Sequence, residues 1–102
     1  MKIYTVTTLE KVELNEQGFL ACGSQRTPGF FKTAEDAKKC IENNYGDIFE
    51  YLYEYATIEE IEDGLYPISN EISWYKWDDE KKKYCEIPKP EETKHFVNYS
   101  IG

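Results

Sequence analysis

The chain has no apolar run approaching the roughly 18 residues that a membrane-crossing helix needs, so neither insertion nor anchoring in a membrane is expected. It has a single histidine, His95, which permits only one arrangement of nucleophile, base and orienting group. That arrangement would pair His95 with Cys85 across a proline-rich turn. The surrounding Glu-Thr-Lys-His-Phe offers no neighbouring nucleophile and no glycine-rich elbow, so a surface or capping histidine is the expectation. Phosphate-cradling loops are missing too: Cys22-Gly23-Ser24 and Pro28-Gly29 stand without the lysine or second glycine such loops use.

Cysteine is sparse and odd in number: Cys22, Cys40 and Cys85. The opening residues lack the apolar stretch of a signal peptide, so reduced thiols and a cytoplasmic location are expected. With His95 the thiols make a Cys3His set, but their separations of 18, 45 and 10 residues contain no close chelating pair, and no metal site is expected. Carboxylates are abundant, yet general acid–base work needs one of them desolvated in a cleft that so short a chain can hardly build. Asp78-Asp79-Glu80 lacks the alternating ligands and central glycine of a calcium loop and reads as a polar hairpin turn. No catalytic residue and no cofactor are assigned.

What is present is acid and aromatic surface. The formal net charge is −8, which disfavours direct nucleic-acid binding because an acidic surface repels phosphate. Between Glu35 and Asp63 ten acids meet only Lys38 and Lys39, while the other 73 residues carry ten charges of each sign. A solvated helix face followed by an exposed strand and turn explains this segment blandly. The sharper reading is an acidic platform for a basic partner.

Nine Tyr, five Phe and two Trp make the chain rich in rings, enough to fill a small core without staples. At 102 residues one domain, residues 1–102, is expected, since two cores would each bury too little.

Lys2 to Leu9 carries the β-branched and aromatic mix of a strand. Glu10 to Pro28 is broken by Asn15, Gly18, Gly23 and Pro28 and reads as a hairpin or mobile loop, with a short strand at Gly18 to Cys22. Thr33 caps a helix from Ala34 to about Asn44, with Ala37, Cys40 and Ile41 on its apolar stripe and Gly46 as its stop. Tyr51 to Ile61 alternates with apolar residues on both faces, the pattern of a central strand. Glu71 to Trp77 and Lys83 to Ile87 form a hairpin through the turn Asp78 to Lys82, ended by Pro88 and Pro90. Glu91 to His95 reads as a helical turn and Phe96 to Ile101 as a last strand. The fold class expected is α+β: an antiparallel sheet of about four to five strands with one α-helix packed on one face.

Gly29-Phe30-Phe31-Lys32-Thr33-Ala34-Glu35-Asp36-Ala37, Asn44-Tyr45-Gly46-Asp47-Ile48, Ile58 to Pro67, Trp74-Tyr75-Lys76-Trp77 and the ending Ile101-Gly102 together resemble a group of small uncharacterised single-domain proteins of bacterial genomes and mobile elements. The resemblance implies one small domain of bacterial or phage origin. It transfers no activity and no site residues. Small proteins of mobile elements are often inhibitors of host or rival systems, and by that analogy inhibition becomes an expectation.

The candidate partner-binding residues are Tyr53, Tyr55, Trp74 and Trp77, rimmed by Glu54, Glu59, Glu60, Glu62 and Asp63, the composition of a hot spot facing a cationic or apolar partner. The bland alternative is that these rings form the core of a small domain. The function expected is non-enzymatic binding of a protein partner, a basic one in the sharper reading, as an inhibitor of a nucleic-acid-handling complex. A homodimer through the aromatic face and a ring-stacked small ligand are the alternatives. Reversing Glu59, Glu60 and Glu62 to lysine is expected to leave the fold intact and to abolish capture of the partner.

Overall fold

A computed structural model describes residues 2–10, 13–14, 16–17, 20–21, 24–49, 53–64 and 69–90. Strand β1 spans Lys2–Leu9, where Ile3, Thr5, Val6, Thr7 and Thr8 hold the stiff, branched side chains that suit a pleated surface. The short strands β2 (Glu13–Leu14) and β3 (Leu20–Ala21) pair only with each other. Then come β4 (Gln25–Phe31), helix α1 (Ala34–Glu42), β5 (Tyr55–Glu62), β6 (Ser69–Asp78) and β7 (Lys83–Ile87). The main sheet has the order β4-β1-β5-β6-β7, antiparallel throughout. The α+β class expected from the sequence is therefore the class observed, with five strands and one helix.

One strand of the sheet falls where the sequence reads as loop. Pro28 looked like punctuation, yet it lies inside β4. There Val6 pairs with Gly29 and Thr8 with Arg26, so Thr27 and Pro28 together face the single residue Thr7. This is a bulge on an edge strand, where a residue without an N–H interrupts no ladder bond.

The helix begins as its cap predicts: Thr33 Oγ1 accepts from the Asp36 N–H at 3.1 Å. It ends about two residues earlier than the sequence suggests. Asn44, not Gly46, first takes the left-handed conformation, with φ 49°, and asparagine tolerates that region because its short polar side chain bonds locally. Asn44 Oδ1 accepts from the Phe49 N–H at 3.0 Å, and Asn44 Nδ2 donates to Asp47 Oδ1 at 3.1 Å. Gly46, at φ 62°, serves the single 3-10 turn Tyr45–Asp47 that follows.

The sheet is buried on both faces. Under the helix, Ala37 and Ile41 pack on Val6, Ala56, Ile58, Tyr75 and Tyr84. On the opposite face Leu9 and Trp74 are buried with Tyr55 and Ile87 against them, and Thr5, Thr7, Thr57, Glu59 and Ser69 are buried as well. β5 is thus the central strand, covered on both sides, as its double apolar pattern implied. The hairpin also matches: Asp78 Oδ1 accepts from the Glu80 and Lys81 N–H groups, and the Lys82 N–H donates to the Asp78 carbonyl at 2.8 Å. The expected helical turn at Glu91 to His95 and the strand at Phe96 to Ile101 lie outside the described residues.

Candidate functional site

Strand periodicity decides which candidate residues face outward. Successive side chains of β5 point to opposite faces, so Glu59 and Glu60 cannot form one row. Glu59 is fully buried, its Oε2 accepting from Ser69 Oγ at 2.6 Å. Its register partner across the ladder is Glu71, whose Oε2 accepts from Trp74 Nε1 at 2.7 Å and pairs with Lys89 Nζ at 3.2 Å. A bulge in β6 creates this arrangement. Ile58 faces Ser73 but Glu59 faces Glu71, which leaves Ile72 as the extra residue and turns Glu71 and Trp74 to the same side. Trp74 is 2 % exposed. Glu59 and Trp74 are therefore core residues that no partner reaches in this fold, which corrects their place in the candidate surface.

The remaining seven candidates divide between the two ends of β5, roughly 23 Å apart at about 3.3 Å per residue. At one end are Glu60, Glu62 and Asp63. Glu60 accepts from the Tyr4 hydroxyl at 3.3 Å, and Lys2 Nζ lies 3.4 Å from Glu60 and 3.9 Å from Glu62. The hydrogen bond to Glu60, then the charges of Glu60 and Glu62, push the Lys2 ammonium above its ordinary range. This end is acidic but already carries its own cation.

At the other end lie Tyr53, Glu54, Tyr55 and Trp77, with Trp77 on the helix face beside Phe49 and Tyr84 and Tyr55 on the opposite face against Leu9 and Trp74. The Trp77 N–H donates to the Glu54 carbonyl at 2.8 Å, and the Tyr84 hydroxyl donates to the Tyr53 carbonyl at 2.7 Å. These bonds fix the incoming chain of β5 against the end of β6. The Trp77 ring is held three ways: it stacks on Phe49 with centroids 3.8 Å apart and planes 8° from parallel, meets the edge of Tyr84 at 5.1 Å, and donates from Nε1 to Asp79 Oδ1 at 3.1 Å. Trp77, Tyr53 and Tyr55 are half-buried and Glu54, Asp79 and Glu80 exposed. Lys76 Nζ sits 5.7 Å from the centroid of the Tyr55 ring. Charge is balanced here, with Glu54, Asp78, Asp79 and Glu80 against Lys76, Lys81, Lys82 and Lys83. The described acids between Glu35 and Asp63 are thus spread over the helix, the core and both sheet ends, so the −8 acts as a field of the whole molecule and not as one platform.

Phe49, Asp79 and Tyr84 belong to this end and are not among the partner-binding candidates of the sequence, which presents Asp79 only as part of a polar hairpin turn. The apolar pair Ile48-Phe49 inside a polar turn was the available signal for the first of them. Cys40 and Cys85 are free thiols on opposite sides of the sheet, Cys40 beneath the helix and Cys85 in register with Lys76 on the far face, so they cannot share an ion. Burial raises the Cys40 thiol above its ordinary range and keeps it neutral. Among the described residues no cluster of three or more metal-binding side chains occurs, and no helix is long and apolar enough to cross a membrane.

Two phenols beneath the helix tie stability to pH. Burial, with the charges of Glu86 and Glu42 adding to it, pushes Tyr75 up to about 12, and burial with Asp47 pushes Tyr84 up as well. An unfolded tyrosine ionises near pH 10. Below that both states hold the phenolic proton and the two tyrosines leave stability unaffected. Above it the unfolded chain binds fewer protons than the folded one, so stability falls as pH rises. The thermal midpoint should begin to decline as the unfolded Cys40 thiol ionises near pH 9 and drop more steeply between pH 10 and 12, with Tyr75 and Tyr84 titrating in near-ultraviolet absorbance only as the fold is lost. A midpoint unchanged to pH 12 would contradict this burial.

No family model matches the chain, and no match was found among curated proteins or solved structures.

Proposed function

We propose that the protein is a non-enzymatic binding protein that engages a basic protein partner through the end of the sheet formed by Tyr53, Glu54, Tyr55 and Trp77. The observation that carries this reading is the fixing of the half-exposed Trp77 ring by Phe49, Tyr84 and Asp79 beside the exposed Glu54. A ring held before binding loses little conformational entropy when a partner covers it, which is what a hot-spot residue requires. The net charge of −8 supplies the second part: it accelerates encounter with a basic surface over a distance set by salt, without requiring a continuous carboxylate row.

In its sharper form the proposal is an inhibitor of a nucleic-acid-handling complex of the kind mobile elements carry, working in the cytoplasm by occupying the partner's basic surface in place of phosphate. Occupancy, not turnover, is the mechanism. The free thiols of Cys40 and Cys85 fit a reducing compartment.

Affinity capture from native extract, eluted by a salt gradient, tests the proposal with three baits. Wild type and Glu62→Lys should retain the same protein and release it at moderate salt. The double variant Glu54→Lys, Trp77→Leu should retain at least tenfold less while keeping its far-ultraviolet spectrum. Equal retention by the folded double variant would remove the sheet end as the binding surface.

A further inference from the structure

A concavity lies away from the sheet end, between the edge strand β4 and the turn after α1. It is a cleft of about 370 Å³ lined by Val6, Gly29, Phe31, Cys40, Tyr45 and Ile48, with Pro28 and Gly46 completing its wall. That volume is within the range of small-molecule sites.

The two glycines set the argument. Gly46 has φ 62°, so its backbone alone accounts for the residue. Gly29 is different: it lies in a strand, outside the left-handed region, where glycine weakens pairing and leaves nothing to pack. A Cβ added at Gly29 would meet no atom within 4 Å. Its register partner is Val6, at the edge of the buried core under the helix, so a branched side chain at position 29 would extend that core into the cleft. The sequence leaves the space open where ordinary strand composition would fill it. A glycine in a strand marks a bulge or a close approach by a ligand or another backbone, and Gly29 combines the two settings: it flanks the bulge at Thr27 and Pro28 and opens onto the cleft.

We infer that this cleft is a binding site for a neutral, planar compound of one or two rings. Among the described residues no charged side chain lines it, so a charged ligand would be desolvated without a partner there. The Cys40 wall is a neutral thiol, 7 % exposed, that behaves as an apolar surface. Phe31 and Tyr45 provide ring faces for offset stacking, and Tyr45, 55 % exposed at the rim, carries a hydroxyl to orient a polar edge of the ligand. This site is separate in residues from the sheet end and stands or falls independently of the partner proposed there.

Titrating 2-naphthol into the full chain labelled with nitrogen-15 tests the inference, with the carboxylate 2-naphthoate as the charged comparison. Saturable amide shifts are expected at Gly29, Phe31, Gly46 and Ile48, with 2-naphthoate at least tenfold weaker. Gly29→Leu projects into the cleft, blocking part of it without strain, and should abolish those shifts while raising the thermal midpoint. Tyr45→Ala, at an exposed position, should fold normally and weaken binding at least threefold, which provides a second readout should the leucine variant misfold. Shifts clustered instead at residues 53–55 and 76–80, shifts that never saturate, or equal binding by a folded Gly29→Leu or Tyr45→Ala would overturn the assignment.

Discussion

Glu59→Lys is expected to destabilise the fold by about 4 kcal/mol or more, whereas Glu62→Lys is expected to change stability by less than about 0.5 kcal/mol and Glu60→Lys by about 1 kcal/mol. The difference follows from one strand's alternation. Glu59 lies at 0 % exposure against Ser69 and opposite Glu71, so a lysine there places a long cation in a space shaped for a hydrogen-bonded carboxylate. A long side chain forced into so closed a space costs about 4 kcal/mol or more even with the Glu71 carboxylate opposite, a large share of a small domain's total of about 5–15 kcal/mol. Glu62 is 70 % exposed on its side chain and Glu60 21 %, both beside Lys2, and reversal there loses a weak ion pair and adds a repulsion. Glu59→Gln keeps the shape and an acceptor for Ser69 and should cost about 1–2 kcal/mol. Urea unfolding of the four variants decides the matter, and a Glu59→Lys protein with a wild-type midpoint would mean that β5 presents this residue to solvent.

The second large effect separates the two tryptophans. Trp74→Ala should destabilise by about 3–5 kcal/mol, since it empties a core position and strips Glu71 of its indole donor. Trp77→Ala should cost about 1–3 kcal/mol, because the ring is half-buried and its loss is shared with solvent. In fluorescence, the variant Trp77→Phe leaves only Trp74, which should emit at short wavelength and resist iodide. Trp74→Phe leaves Trp77, which should be quenched. Equal quenching of both single-tryptophan proteins would contradict the placement of either ring.

What could be read in advance followed the strength of the local signal. The helix was legible because Thr33, Ala37, Cys40 and Ile41 sit at capping and stripe positions that few other conformations use. β1, the β6–β7 hairpin and the central position of β5 were legible from composition and double-faced burial. β4 was hidden because its strand character depends on a neighbour: only pairing with β1 at the sheet edge makes Pro28 acceptable. The stop of the helix was misplaced because glycine is the commoner left-handed residue, while Asn44 had local hydrogen bonds that sequence spacing alone does not reveal.

The site was less legible than the fold. Alternation along Tyr53 to Asp63 already places neighbouring glutamates on opposite faces, so the row Glu59, Glu60, Glu62 could not be continuous. The burial of Glu59 and Glu71 was not foreseeable, because the bulge at Ile72 that aligns them is set by pairing between β5 and β6. The second sheet face is rich in threonine, serine and glutamate, yet it is buried and hydrogen-bonded: Thr57 Oγ1 donates to the Ser73 carbonyl at 3.0 Å, and the Thr7 and Thr27 hydroxyls lie 2.9 Å apart. Polar residues indicate solvent only when no partner is available to satisfy them.

The most direct test of the account is site-specific photo-crosslinking in cells, with a benzophenone amino acid placed at Tyr53 in one protein and at Glu62 in another. The binding surface proposed here predicts one discrete crosslinked species from position 53, lost when Glu54→Lys is added, and none from position 62. Crosslinking from position 62 alone would contradict it and move the interface to the acidic end of β5.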